Sequence, residues 1–139
     1  ARADMDPGMV EVAEIGANYS LDDYSRAVDE RVVLGTMMNE FHAEYDLLVT
    51  PALAVPPFDA GRDVPEPGPG RRWTDWTPFT YPFNLTGQPA CVVPCGFTGN
   101  GLPVALQIVG PRYGDALVLR AATAFEQLHP FEMPRDVAS

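Results

Sequence analysis

The sequence contains no lysine, because all nine basic residues among its 139 are arginines. Mechanisms that use a lysine amine as a base or as a Schiff-base nucleophile are therefore excluded for this chain by itself. Serine is almost as scarce, since it occurs only at Ser20, Ser25 and Ser139. None of the three lies in a G-x-S-x-G elbow or in a Gly-Ser-rich loop. The residues of a serine hydrolase centre are thus missing from this sequence.

Positive charge is also in short supply, with 9 basic against 19 acidic residues and a net charge of −10. Such a chain is repelled by phosphate backbones and by anionic lipid surfaces, so we expect neither nucleic acid nor membrane as a partner. The sequence has no apolar run of membrane-spanning length and no secretory signal pattern. Its first residue is alanine, which suggests that it begins inside a longer protein.

Only two cysteines and two histidines are present. Cys91 and Cys95 share one predicted strand and lie about 13 Å apart, too far to form a disulfide. Two buried free thiols suit the cytoplasm, which is the predicted location. No metal-ligand spacing occurs, and no cofactor is predicted. A nucleophilic pairing of Cys95 with His42 or His129 is the less favoured alternative to two packing cysteines.

The stretch from residue 81 to residue 110 is the feature around which the rest is organised. Two apolar runs, 90–98 and 102–109, flank Gly99-Asn100-Gly101, whose residues tolerate positive φ and can close a tight reversal. This pattern predicts two antiparallel strands joined by a turn near Asn100.

The remaining elements make the chain an α/β protein in a single segment, 1–139. Apolar residues at three- and four-residue steps predict helices within 7–45, the second of them beginning after a capping box at Ser20. A strand at 46–50, with the apolar run Leu47-Leu48-Val49 and no alternation, is expected to be buried on both faces, as an interior strand is. A loop rich in proline and glycine follows at 51–78, and a last helix is predicted at 115–129 with Asp115 as its N-cap.

Several motifs resemble the C-terminal hallmark of the amidase signature family. They are NLTGQPA at 84–90, VPCG at 93–96, GLPV at 101–104 and LQIVG at 106–110. The YDLLVTP segment at 45–51 is similar to the strand that precedes the variable loop of that family. The segment from 115 to 126 is similar to its last helix.

The resemblance implies an α/β/α sandwich with a mixed sheet, here incomplete, of which this chain is the C-terminal part. Members of the family hydrolyse or transfer amides through a serine that a second serine and a lysine activate. Those three residues precede the part that this sequence resembles, so no catalytic residue is assigned to it. The function that follows is that of a C-terminal segment of an amidase-type hydrolase acting on carbon-nitrogen bonds, inactive alone.

What the resemblance does assign is one side of a substrate pocket, formed by the segment before the Asn-Leu-x-Gly-x-Pro motif. The implied substrate-binding residues are Trp76, Thr77, Phe79, Tyr81 and Asn84. In the A subunits of the glutamine-using amidotransferases, an aspartate that contacts the glutamine amino group stands at the position of Thr77. Because threonine stands here in place of that aspartate, glutamine is disfavoured as a substrate. The aromatic residues favour an apolar or aromatic amide.

The expected partners are a small-molecule amide and the remainder of the amidase domain. Two other interpretations stay open. One is a stand-alone, non-catalytic binding or scaffold domain derived from the family. The other is a structural fragment that forms a homo-oligomer through an exposed sheet edge.

Overall fold

The computed structural model describes residues 4–66, 68, 72 and 74–131. Four helices and three strands follow one another as helix, helix, strand, helix, strand, strand, helix. In chain order they are α1 (Pro7–Gly16), α2 (Leu21–Glu44), β1 (Leu48–Pro51), α3 (Tyr81–Thr86), β2 (Ala90–Phe97), β3 (Pro103–Val109) and α4 (Asp115–Leu128).

The three strands form one antiparallel sheet in the order β1-β3-β2. The hairpin between β2 and β3 is the pair that the apolar runs predict, with Val93 opposite Leu106. Gly101 takes φ 79° in the turn, and its amide donates to the Thr98 carbonyl at 2.9 Å. A positive φ at this position is the conformation for which glycine is suited.

The prediction that the first strand is buried on both faces is wrong for the described sheet. β1 is an edge strand, and half-buried and exposed residues alternate along it, with Val49 59% exposed. β1 has apolar residues on both faces. In the described sheet it pairs only with β3, and only the face that carries Leu48 and Thr50 is half-buried.

The core lies between the hairpin and α4. Val93, Ile108, Val118 and Ala122 form one buried cluster. Gly110 permits the close approach of α4, because a Cβ at this position would lie 2.6 Å from Val118 Cγ2. Asp115 is the first residue of α4, and its N-cap is Gly114, so the prediction of an Asp115 cap is wrong.

The predicted capping box is present at the start of α2, where Ser20 and Asp23 bond each other's backbone amides. The apolar face of this helix is only partly covered by the described residues, since Leu34, Met38 and Phe41 on it are half-buried. None of its residues is buried, and Leu21 is 78% exposed. Among the described residues, no helix is long and apolar enough to cross a membrane.

A third helix, α3, lies in the segment that the sequence presents only as a lead-in to the hairpin. Pro82 is its second residue, and Gly87 ends it in the left-handed region at φ 75°. The Nε of Arg31 donates to the Leu85 carbonyl at 2.5 Å and so attaches the end of α3 to α2. A cation at this position also complements the negative end of the helix dipole.

Candidate functional site

Trp76 holds the segment before α3 against the proline-rich loop. Its indole Nε1 donates to the Asp63 carbonyl at 3.0 Å. Its ring meets Phe58 edge-to-face, with centroids 5.3 Å apart. The side chain is therefore fixed by one polar and one aromatic contact, both of them to the loop.

These contacts form part of the wall of an open cavity of about 440 Å³. Its walls are mainly apolar, with two carboxylates, and consist of Ala54, Val55, Pro56, Pro57, Phe58, Val64, Pro65, Glu66, Asp75 and Trp76. A cavity of this size and character suits the apolar part of a small organic molecule. Trp76 is the one residue of the five predicted substrate-binding residues that lines it.

Thr77 lies next to the cavity in a tight turn. Its hydroxyl donates to the Thr74 carbonyl at 3.0 Å, and the Thr80 hydroxyl donates to the Thr77 carbonyl at 2.9 Å. The hydroxyl hydrogen of Thr77 is thus engaged within the turn. The position offers no negative charge to a ligand.

Phe79 is connected to the sheet through its backbone. Its carbonyl accepts a hydrogen bond of 2.7 Å from Gln107 Nε2, which also lies 3.2 Å from Thr50 Oγ1. Gln107 is 3% exposed and sits in the middle of β3. Sequence reasoning missed this residue, although a glutamine inside an apolar strand signals a buried amide that needs partners.

Tyr81 and Asn84 belong to α3 and are both exposed. Neither lines the cavity at Trp76. Trp76 therefore lines an apolar cavity, and Thr77 and Phe79 belong to the turn that follows it. Tyr81 and Asn84 come after that turn, in α3.

The Amidase family model matches residues 9–119, most of the chain. The chain belongs to the amidase signature family. An acylamidase of Rhodococcus erythropolis is 36% identical over 134 residues, which cover 94% of this chain and 28% of the relative. The A subunit of a glutamyl-tRNA(Gln) amidotransferase from Brevibacillus brevis is 38% identical over 108 residues, covering 78% of the chain and 21% of the relative.

Solved structures of the amidase signature family share the fold. A bacterial aryl acylamidase superposes with a TM-score of 0.79 at 30% identity, covering 94% of this chain and 28% of that one. The A subunit of the Thermotoga maritima amidotransferase superposes with a TM-score of 0.77 at 32% identity, covering 94% and 29%. The chain thus spans between about a fifth and three tenths of the length of these relatives, and it matches their C-terminal part.

In the described part of this amidase-family chain, the Ser20 hydroxyl has a carboxylate beside it, Asp23, to whose Oδ2 it donates at 2.6 Å as part of the capping box. Ser20 caps α2, and Ser25 is exposed on that helix. No group of three or more His, Cys, Asp or Glu residues that could hold a metal occurs among the described residues. Cys95 is exposed and lines a second apolar cavity, so the prediction of two buried thiols is wrong for it, and neither histidine lines that cavity.

Proposed function

We propose that this chain is the C-terminal segment of an amidase that cleaves carbon-nitrogen bonds of amides. In this proposal it supplies sheet core and one side of the substrate pocket, while the two serines and the lysine of the catalytic centre belong to residues outside this sequence. The observation that carries the proposal is an Amidase match over residues 9–119 in a lysine-free chain that spans 28% of its acylamidase relative. Both free cysteines support a reducing, cytoplasmic setting.

The proposed substrate-binding residues remain Trp76, Thr77, Phe79, Tyr81 and Asn84. The cavity beside Trp76 supports an apolar or aromatic substrate, since Phe58, three prolines and aliphatic side chains form most of its other walls, beside the carboxylates of Glu66 and Asp75. Thr77 supports the same choice, because it has no carboxylate with which to bind the amino group of glutamine. Similarity to a bacterial aryl acylamidase agrees with this substrate class.

The test compares the 139-residue chain with the longer polypeptide that contains it, on an aryl anilide and on glutamine. We expect the longer polypeptide to hydrolyse the anilide in preference to glutamine and the chain alone to hydrolyse neither. Trp76→Ala in the longer polypeptide is expected to raise KM for the anilide about tenfold, since most of an aromatic contact is lost. Turnover by the chain alone would contradict the assignment of the catalytic residues.

The second candidate, a stand-alone binding or scaffold domain, is disfavoured by α2. This helix has 24 residues and none of them is buried. A lysine and a Gly-Ser-rich segment encoded upstream in the same reading frame would exclude this alternative. Their absence, together with a stable and inactive 139-residue chain, would replace the amidase proposal with it.

A further inference from the structure

A groove of about 440 Å³ lies between α2 and α3, beside a part of α2 where Val28 and Val32 remain exposed. Its lining combines apolar and neutral polar groups with two charged residues, and both of these are arginines: Val28, Arg31, Val32, Gly35, Thr36, Asn39, Leu85, Thr86, Gly87 and Arg112. The chain carries a net charge of −10, yet this groove contains two positive groups and no negative one.

The two guanidinium groups are held in place from different elements. Arg31 uses Nε to bond the Leu85 carbonyl, which leaves the terminal nitrogens of its fork for another acceptor. Arg112 stacks over the ring of Tyr113 at 5.5 Å from the centroid, and its Nε would lie 3.8 Å from a Cβ at residue 87. Because a guanidinium fork is planar, it loses less freedom per hydrogen bond than a lysine amine when it binds a planar anion.

Neither arginine has an ion-pair partner within the described residues. The ion pairs found there join Arg26 to Asp23 and Arg62 to Asp59. A guanidinium fork matches the two oxygens of a carboxylate, with which it forms short and strong paired hydrogen bonds. The groove therefore has the chemistry to receive a carboxylate.

The surroundings of the groove indicate where that carboxylate comes from. Val28 is 41%, Val32 63% and Leu85 44% exposed, so an apolar rim surrounds the arginines. A rim of this kind calls for a macromolecular cover more than for a free ion in water. The chain spans 28% of its acylamidase relative, so a cover is expected from the rest of such a domain.

We infer that Arg31 and Arg112 form a docking site for an acidic side chain on the remainder of the amidase domain. The inference rests on the proposed function, because that function supplies the remainder. The carboxylate pairs with the two guanidinium forks, and apolar side chains around it cover Val28, Val32 and Leu85. Because the cover keeps water out, the pair would be stronger than an ion pair on the surface.

Phenylglyoxal, which modifies arginine, tests the site in the 139-residue chain and in the longer polypeptide. We expect modification of Arg31 and Arg112 to be slower by about tenfold or more in the longer polypeptide, since the reagent then needs local opening. Arg26 is the reference, because its side chain is 74% exposed and its ion pair is local. Equal rates at both groove arginines in the two polypeptides would overturn the inference.

Arg112→Gln separates docking from local stability. In the longer polypeptide we expect it to lower Tm by about 5 °C or more, because a buried carboxylate loses its partner. In the 139-residue chain Tm should stay within about 1 °C, since Arg112 has no ion-pair partner among the described residues. Arg112→Lys should restore part of the loss, and Arg120→Gln on α4 is the matched control in both forms. Equal losses of Tm in both polypeptides would count against docking.

Three further outcomes identify what has failed. Inorganic phosphate that protects both arginines in the 139-residue chain, without protection in the longer polypeptide, would mean a free anion site and no docking. Protected arginines in a longer polypeptide that hydrolyses no amide would refute the proposed function and leave the docking site intact. Amide hydrolysis with unprotected arginines would refute the docking site alone.

Discussion

Replacing Gln107 by methionine is expected to disconnect the pocket segment from the sheet while keeping the shape of the core. Methionine is unbranched and of similar size, so it fills the site of a side chain that is 3% exposed. It cannot donate to the Phe79 carbonyl, which accepts the 2.7 Å bond from Gln107 Nε2, or to Thr50 Oγ1.

The expected loss is about 1–3 kcal/mol in the free energy of unfolding, since a part-buried carbonyl is left without its donor. An unfolding entropy of about 2.1 cal/mol/K per residue converts each kcal/mol into about 3 °C for a chain of this length. Tm should therefore fall by about 3–10 °C.

Thr50→Val is the matched control, because it removes the acceptor of the 3.2 Å contact and leaves the bond to Phe79 in place. Its effect on Tm should be smaller than that of Gln107→Met. Calorimetry measures Tm for both variants. In a Trp73→Phe background, the emission of Trp76 reports on the pocket segment and should shift to the red only in Gln107→Met. A Tm within about 1 °C of the parent, with unchanged emission, would refute the connecting role of Gln107.

Two other expectations concern backbone contacts and pH. Gly110→Ala should lower stability by about 1–3 kcal/mol in urea unfolding, because the new methyl group overlaps Val118. A Cβ at Gly35 would meet no atom within 4 Å, so Gly35→Ala should instead stabilise α2 by about 0.5–1 kcal/mol. A loss of stability would contradict the open space beside this position. Hydrogen bonds lower the pKa of the Asp23 carboxyl below its ordinary value of 3.8. Those from Ser20 have the largest effect, and the one from Arg26 adds to it. The contribution of this carboxyl to stability is therefore complete above pH 3.8 and disappears as the pH falls through the lowered value. Ser20→Ala should weaken this pH dependence in circular dichroism, and an unchanged acid transition would contradict the role of the cap.

Local signals predicted local structure well. The turn at Gly101 and the capping box at Ser20 depend on neighbours within a few residues, and the structure has both. Contacts between distant segments were not predictable in this way. α3 was missed because its six residues carry no repeating apolar pattern, and its attachment depends on Arg31, which lies 54 residues before Leu85.

The candidate site shows the same division. The family resemblance indicated a pocket wall near the end of the loop, but the partners of Trp76 lie 13 and 18 residues earlier, at Asp63 and Phe58. Gln107 was overlooked because its bond to Phe79 joins positions 28 residues apart. A pattern read along the chain contains no information on which distant carbonyl a buried amide will meet.

The sequence by itself determined the hairpin, the α/β class, the family and the absence of a lysine centre, because these follow from residue identity and short-range order. The tertiary structure decided which apolar faces are covered. It buried the face of the hairpin that α4 contacts through Val118, and it left most of the apolar face of α2 exposed. The physical reason is that burial needs a second surface. An apolar stripe indicates that a surface is required, and only the packed chain shows whether the chain itself provides it.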